Sequence, residues 1–546
     1  MSKRIPGDAY QRSEIRDGML TTTHKGGRTT MTTRARTSKL LLIFWLCLLL
    51  AGMSPFHPSA LASSDAIDFK AIDGYMTAQM RAARIPGLAL AVVKGDQIVY
   101  LKGYGRADPA GRAVTPQTSF IIGSVTKPFT ALAVMQLVEA GTVELDAPVQ
   151  RYIPWFRVAD PQASAQITVR QLLTMTSGLP QIMETQLWNE QDEGALERAV
   201  RFLKTAELIG PPGQSFGYSN GNYDTLGLIV QTVSGQSYED YVRQHIFAPL
   251  AMQQSFVSQA EAMQHGMASG YRWWFGIPVP VTLPYHRAEL PAGYVISSAE
   301  DMAHFLIAQM NGGRYRDSAV LSPNGIALMQ TEPVPHTYAM GWETDRINGR
   351  TLINHDGGWA NFQSSVFFDP EARVGVFVAA NVMSALDAFS SPSGSSPLDG
   401  PSTRAMAESV LSLATNQPLP EQGPGNGRLY LLFDLVLLAL TIVLVLALAR
   451  IPGRYQRLAQ GGIARWSGLV WRSGLVAVLH FAWPLVVLYL ALNVPAWQVY
   501  VMLFQPDLGY WLQAVALVVF IKGLLEIALL WRVFRQPHQR QILQPV

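Results

Sequence analysis

Three short stretches combine residue types that can carry acyl-transfer chemistry. Ser124-Val-Thr-Lys127 stands where a loop gives way to a helical pattern, and a spacing of three puts both side chains on one helix face. A serine hydroxyl is a weak nucleophile until a neighbouring base takes its proton, and a lysine can do so when burial or adjacent positive charge keeps it neutral. Of the nine lysines, only Lys127 has a serine three residues before it. A capping serine with a surface lysine one turn on would read the same way. Tyr218-Ser-Asn220 follows the turn formers Pro211-Pro212-Gly213. Its phenol can share a proton with a nearby lysine, and its amide can both donate to and accept from a substrate amide. By itself this is also a plain loop. His355-Asp356-Gly357-Gly358 comes after the strand-like Arg350 to Ile353, and glycines beside a histidine suit a strand edge that binds an oxyanion. His24-Lys-Gly26 in the leader shows the same histidine-x-glycine pattern, so order and spacing must carry the weight.

The elements that would position these residues follow from periodicity. Gly87 to Lys94 and Ile98 to Gly105 are β-rich runs around Gly95-Asp96-Gln97, which predicts a hairpin. Helical spacing begins near Ser124 and runs through Phe129, Leu132 and Met135 to a stop at Gly141. A second strand pair is predicted at Ser364 to Phe368 and Val374 to Ala380, with helices and loops between residues 145 and 335. Ser390 to Ser402 reads as a loop, Thr403 to Ala414 as a last helix and 415–427 as a linker. The expected fold class is α+β: an antiparallel sheet built from both ends of the block, flanked by helices, with a helical subdomain.

The order of these features resembles the serine β-lactamase and penicillin-binding-protein-like superfamily, in the branch of class C β-lactamases, DD-peptidases, D-aminopeptidases and related esterases. The likeness spans about residues 70–415 and rests on Gly123-Ser-Val-Thr-Lys-Pro-Phe-Thr-Ala131, Leu137-Val-Glu-Ala-Gly141, Leu172-Leu-Thr-Met-Thr-Ser-Gly-Leu-Pro180 and Tyr218-Ser-Asn220. Gly293 with Ser297-Ser-Ala-Glu-Asp-Met302, and the Met340-Gly-Trp342 strand, add to it. The resemblance implies Ser124 as nucleophile, Lys127 and Tyr218 as proton carriers, Asn220 as substrate ligand, and Ser124 and Gly358 N–H groups as the oxyanion hole beside His355 and Gly357. It implies an acyl-enzyme and no cofactor. Two departures matter. Met175 stands where relatives often have histidine, a position expected to be structural. His355 replaces the lysine usual in true β-lactamases, and a histidine of ordinary pKa about 6.5 carries little charge at pH 7. The resemblance therefore favours peptidase, amidase or esterase activity over efficient hydrolysis of β-lactams. The alternatives are a β-lactamase proper and a slowly turning-over, penicillin-recognising sensor or cell-wall binding protein.

Charge is divided unevenly along the chain. The net of +3 is +6 over residues 1–62, −9 over 63–420 and +6 over 421–546. The large acidic block speaks against a nucleic-acid partner. The apolar run Leu40 to Ala51 follows Arg34, Arg36 and Lys39 and precedes Ala60-Leu61-Ala62, which predicts a signal peptide cleaved after Ala62; an uncleaved anchor is the alternative. Cys47 is the only cysteine, and the ten histidines form no H-E-x-x-H motif or close pair, so no metal site is expected.

Apolar runs at 429–449, 474–494 and 510–531 are long enough to cross a bilayer of ~30 Å, giving a membrane domain over 428–546. Arg450, Arg454, Arg457, Arg465 and Arg472 lie between the first two, and Arg532, Arg535 and Arg540 follow the third, whereas Pro495 to Gly509 has only Asp507. The positive-inside rule places both arginine-rich segments in the cytoplasm and residues 63–414, the hydrolase-like domain, outside it. Asp434, His480, Lys522 and Glu526 are ionisable within the runs; Lys522 and Glu526, one turn apart, are expected to neutralise each other, with a transport path as the competing reading. Tyr271 to Pro280 is an apolar stretch that suits a cleft lip, a membrane-facing patch or ordinary packing. Substrates of the resembled type are small peptides, amides, esters or β-lactams.

Overall fold

The computed structural model describes residues 67–181, 190–331, 338–347, 349–383, 402–420, 426–461, 466–494, 497, 501–502 and 506–535. The leader with its expected cleavage after Ala62, nearly all of the Ser390 to Ser402 loop, Arg465 and Arg540 lie outside the described residues.

Sequence alternation builds the central sheet. Strand β1 (Gly87–Lys94) is buried at every residue but its last. Leu88, Leu90 and Val92 face one apolar cluster, and Ala89, Ala91 and Val93 face the other, as period-two geometry requires of a strand covered on both sides. Helices α1 (Phe69–Ala82) and α5 (Thr403–Ala414) cover the first face, through Ile72, Met76, Met406 and Val410. Helix α4 (Ala299–Met310) packs on the second, where the small alanines of β1 leave it room. Each fully buried valine or leucine contributes about 1.5–3 kcal/mol.

The six-stranded sheet runs β2 (Gln97–Gly105), β1, β12 (Val374–Ala380), β11 (Phe362–Asp369), β10 (Arg350–Trp359) and β9 (Glu343–Ile347), all pairs antiparallel. Both ends of the block supply strands, as expected. Smaller ladders join β3 (Ser119–Ile121) to β6 (Ile296–Ser298), β4 (Tyr271–Trp274) to β5 (Ile277–Pro280) and β13 (Val382–Met383), and β7 (Arg314–Tyr315) to β8 (Ser318–Ala319).

Besides the short strands β4 to β8, which fall in the stretch expected to hold helices and loops, two elements of this domain differ from the sequence expectation. Strand β10 continues past Ile353 through His355-Asp356-Gly357-Gly358, because pairing with β11 holds the glycines extended despite their low strand propensity. Helix α2 (Lys127–Glu139) is not amphipathic: all but Gln136, Val138 and Glu139 are buried, so it is a core helix wrapped on nearly every side.

Helices α6 (Asn426–Ala449), α8 (Trp466–Asn493) and α9 (Pro506–Arg535) are long and apolar enough to cross a membrane. Between the first two lies a further helix, α7 (Ile451–Gly461), where the sequence suggested only a loop. Lys522 pairs with Glu526 at 2.8 Å and with His480, so these polar groups of the apolar helices satisfy one another between α8 and α9.

On the sheet's outer side Arg404 of α5 meets Asp356 at 2.5 Å and also Asp345, and Asn354 at 3.2 Å. Removing one partner from such a recessed network strands the carboxylates. Arg404→Leu should cost about 3 kcal/mol, read as a lower midpoint in thermal unfolding of the detergent-solubilised chain; an unchanged midpoint would refute the role assigned to the network.

Candidate active site

Ser124 owes its position to one glycine. Gly123 has φ +55°, a left-handed conformation open to glycine at little cost. It turns the chain from β3 into a 3₁₀ turn, Gly123–Thr126, that runs straight into α2. Pro128 sits in the first turn of the helix, where its missing N–H is no loss. Lys127, one turn after Ser124, enters the protein interior with the helix and is completely buried.

The buried amine finds three oxygens. Lys127 Nζ donates to Ala292 O at 2.7 Å and to Asn220 Oδ1 at 2.9 Å, and lies 3.0 Å from Ser124 Oγ. Burial pulls its pKa down to about 7, against the upward pull of Asp224, Glu289 and Glu343. A neutral amine has two hydrogens and one lone pair. With the hydrogens on Ala292 and Asn220, the lone pair faces the Ser124 hydroxyl.

Tyr218 closes the other side. Its Oη donates to Ser124 Oγ at 2.8 Å, and Lys127 Nζ stands 4.8 Å from its ring centroid. Burial pushes the phenol well above its ordinary range, so Tyr218 is a protonated donor at neutral pH and not a phenolate. The chain Tyr218 to Ser124 to Lys127 is a continuous proton path. The loop before Tyr218 is pinned by Met175, whose carbonyl accepts from Gly217 N at 2.8 Å and whose sulfur accepts from Asn222 Nδ2 at 3.1 Å. Met175 is fully buried with φ +56°, a placement that supports the loop and leaves Met175 off the proton path. Asn220 opens helix α3 (Asn220–Ser234), which fixes its amide between Lys127 and Glu289.

The third stretch arrives on β10. Strand β9 pairs only with Arg350 to Asn354, so His355 to Trp359 have an edge that β9 does not cover. That edge lies against the serine turn. A Cβ on Gly357 would stand 1.9 Å from Ile122 O, and one on Gly123 would stand 2.4 Å from Gly358 N. Both glycines are needed for backbone to meet backbone, and Ser364 Oγ donates to Ile122 O at 2.7 Å to hold the junction. The Gly358 amide thus comes beside the residue that precedes Ser124, the arrangement in which two N–H groups can converge on one oxygen.

His355 points inward. Its ring pairs with Tyr338 Oη at 3.1 Å and with Asp356 O at 2.7 Å, and the residue is 1% exposed. Burial, then the charge of Lys127, pulls its pKa down to about 4, so it is neutral at pH 7. Asp356 leaves on the opposite strand face, toward Arg404.

Sequence reasoning missed three contributors. Glu289 accepts from Asn220 Nδ2 at 3.4 Å, and burial pushes its carboxyl upward against the pull of Lys127. Tyr338 packs edge-on to Tyr218 and His355. Ala292 contributes only a carbonyl. Glu289 and Ala292 shortly precede the quoted Gly293, and Tyr338 precedes Met340-Gly341-Trp342 by two residues, the nearest signals available.

The block that carries these residues is similar to known proteins. The model of the Beta-lactamase family matches residues 72–391. The chain is 32% identical over 315 residues to Protein flp of Staphylococcus aureus (strain MW2), covering 57% of this chain and 63% of that protein. It therefore spans less than two thirds of that relative's length. It is 34% identical over 287 residues to Penicillin-binding protein 4 of Amycolatopsis lactamdurans, covering 50% of this chain and 74% of the relative. Among solved structures, the octameric penicillin-binding protein homologue from Pyrococcus abyssi aligns with TM-score 0.56 and 27% identity, over 66% of this chain and 80% of the other.

The close approach at the serine turn can be checked directly. Gly357→Ala should cost about 2 kcal/mol or more, because the new methyl must displace backbone. Gly474→Ala, at a helix position with nothing within 4 Å, should leave the thermal midpoint unchanged or slightly raised. Equal midpoints for the two variants would show that the approach is not tight.

Proposed function

The chain belongs to the beta-lactamase family of serine hydrolases, and on that premise we propose that it is a membrane-anchored, extracytoplasmic hydrolase working through an acyl-enzyme on Ser124. The observation that carries this reading is the double contact on Ser124 Oγ, with Lys127 Nζ at 3.0 Å and Tyr218 Oη at 2.8 Å. As Oγ attacks a carbonyl carbon, its proton passes to the neutral Lys127. The carbonyl oxygen takes the negative charge between the N–H groups of Ser124 and Gly358. The bond to the leaving nitrogen or oxygen then breaks, with a proton supplied by Tyr218, and the proton held on Lys127 restores the phenol. Asn220 orients the substrate amide. Water, activated by the same groups, releases the acyl product.

Substrate class follows from charge. Lys127 is committed inside, and His355 is neutral and turned into the core, so the β10 edge offers no fixed positive charge from either residue. This supports D-amino-acid amides and small esters that carry no free carboxylate beside the scissile bond over carboxylate-bearing β-lactams as preferred substrates. The orientation rests on the arginines of α7 and of the start of α8, which the positive-inside rule assigns to the cytoplasmic side.

The decisive experiment compares wild type and Ser124→Ala with a fluorescent penicillin, a chromogenic ester and a D-Ala-D-Ala peptide. Labelling or turnover should be lost in the variant; retention would overturn the assignment, and durable labelling without release would replace the hydrolase by a receptor. The ester's kcat/KM should rise with pH as Lys127 loses its proton near pH 7, by roughly thirtyfold between pH 5.5 and 8. Lys127→Arg should fall about 10²–10⁴-fold and lose that limb. A flat profile in wild type would exclude Lys127 as the base.

A further inference from the structure

Hairpin β4–β5 leaves the catalytic domain and ends at the membrane helices. Tyr271 and Trp273 point into the domain core, whereas Trp274, Phe275, Ile277 and Val279 are 38, 41, 62 and 42% exposed. An isolated apolar side chain on a surface means little, but four within six residues at the tip of a hairpin form a patch. The turn itself is unusual. Phe275 and Gly276 have φ +46° and +70°, and a phenylalanine in the left-handed position is strained where asparagine or glycine would be relaxed. An aromatic ring is held there despite the strain.

The tip sits level with the ends of the membrane-spanning helices. Phe275 N donates to Asp507 Oδ2 at 3.0 Å, and Trp274 packs against Tyr510 at 5.6 Å, both partners lying in the first turns of α9. A Cβ on Gly276 would stand 3.1 Å from Asp434 Oδ2 of α6. Arg84, just beyond α1, donates to Gly276 O at 2.7 Å and ties the turn to the catalytic domain. Helices α6 and α9 both leave the hairpin side, so Asp434, Asp507 and Tyr510 mark one boundary of the apolar layer. The exposed residues Leu432, Leu435 and Val436 of α6 lie at the same level and continue the patch.

We propose that the tip of this hairpin, Trp274 to Val279, is a lipid-contacting wedge seated in the bilayer interface on the side of the catalytic domain. Its chemistry fits that layer. Tryptophan and tyrosine concentrate at the boundary between headgroups and acyl chains, and a backbone turn stays out of the hydrocarbon itself, where its unpaired groups would be costly. Its edge opposes another protein strand: β5 is the outer strand of its ladder, and Pro278 and Pro280 remove two of its four N–H donors. A lipid surface makes no such demand. The wedge also reaches the serine. Strand β4 pairs with β13, and Met383 of β13 lies against Gly358, since a Cβ there would stand 2.7 Å from Met383 Cε. With β4 spanning roughly 13 Å at ~3.3 Å per residue, the wedge holds the β10 edge and Ser124 at a short, fixed height above the lipid.

The test uses the full-length chain with Cys47→Ser, reconstituted in phosphatidylcholine vesicles. A bimane fluorophore is placed on Ile277→Cys or Val279→Cys, and on Asp96→Cys in the β1–β2 turn as a water-facing control. Quenching by a phosphatidylcholine carrying a nitroxide near its headgroup should exceed the control by about fivefold or more, with iodide quenching reduced by a similar factor. Thermal midpoints equal to that of the unlabelled chain establish that each variant is folded. Iodide access at 277 and 279 equal to that at 96, without lipid quenching, would overturn the proposal. Shielding from both quenchers would also overturn it, assigning the patch to a second copy of the chain.

Discussion

The site is organised around a lysine kept dry. An ammonium group moved from water into a protein interior loses most of its hydration, and Lys127 responds by giving up its proton near pH 7 instead of near 10.5. Between those values the unfolded chain holds the proton and the folded chain does not, so the difference costs roughly 4 kcal/mol of folding free energy at pH 7 and shrinks as pH rises. Two or three fully buried side chains, such as Phe129 and Leu132 on the same helix, offset a cost of that size. Helix α2 therefore has to be buried on nearly every side: a half-exposed helix would hydrate the amine and restore its ordinary basicity. Asp224, Glu289 and Glu343 pull the other way, and they keep the shift from running so far that Lys127 could never hold the serine proton.

A second constraint is the distance between two pieces of backbone far apart in sequence. Ile122 and Gly123 belong to the first third of the chain, and Gly357 and Gly358 to the last strands of the sheet. They meet because β1 and β12 pair directly, which stitches the two ends of the catalytic domain into one sheet. Strand β9 stops pairing at Asn354, and this early stop is what leaves an edge for the serine turn and a substrate. The sheet thus supplies both rigidity and a vacancy in its own ladder.

These two constraints explain what could be read from the sequence. Ser124 and Lys127 are local to one helical turn, so spacing alone suggested their contact, and Tyr218 with Asn220 joins them through a short motif at the start of a helix. Gly87 to Lys94, Val374 to Ala380 and Thr403 to Ala414 fall at the bounds their patterns suggest, because alternation and capping are local too. The continuation of β10 through two glycines was hidden, since it depends on pairing with β11. Glu289 was hidden because an acidic residue at a helix start is common, and only the tertiary fold brings it within reach of Asn220, 69 residues away. The carbonyl of Ala292 has no side-chain signature at all. Neutral His355 was legible in part: its type lowered the expected charge, but only burial against Tyr338 shows where the ring goes.

The membrane helices raise a question of tethering. Helix α5 ends at Ala414 and α6 begins at Asn426, leaving eleven residues between them. At ~3.3–3.6 Å per residue such a segment could extend to roughly 40 Å, enough for a domain held by that segment alone to turn its cleft in any direction. Contacts of the β4–β5 hairpin with Asp507 and Tyr510 remove that freedom, since they hold the domain at a point distant in sequence from the tether. Two attachments fix an orientation where one fixes only a radius. The loss of rotational freedom is an entropic cost to the hairpin contacts, but a substrate confined to the same surface would gain by it, because a cleft held at one height and facing meets such a substrate at high effective concentration. The same geometry gives little advantage toward a substrate that arrives from bulk solution, so under the proposed hydrolase reading the second attachment favours a substrate held near the bilayer.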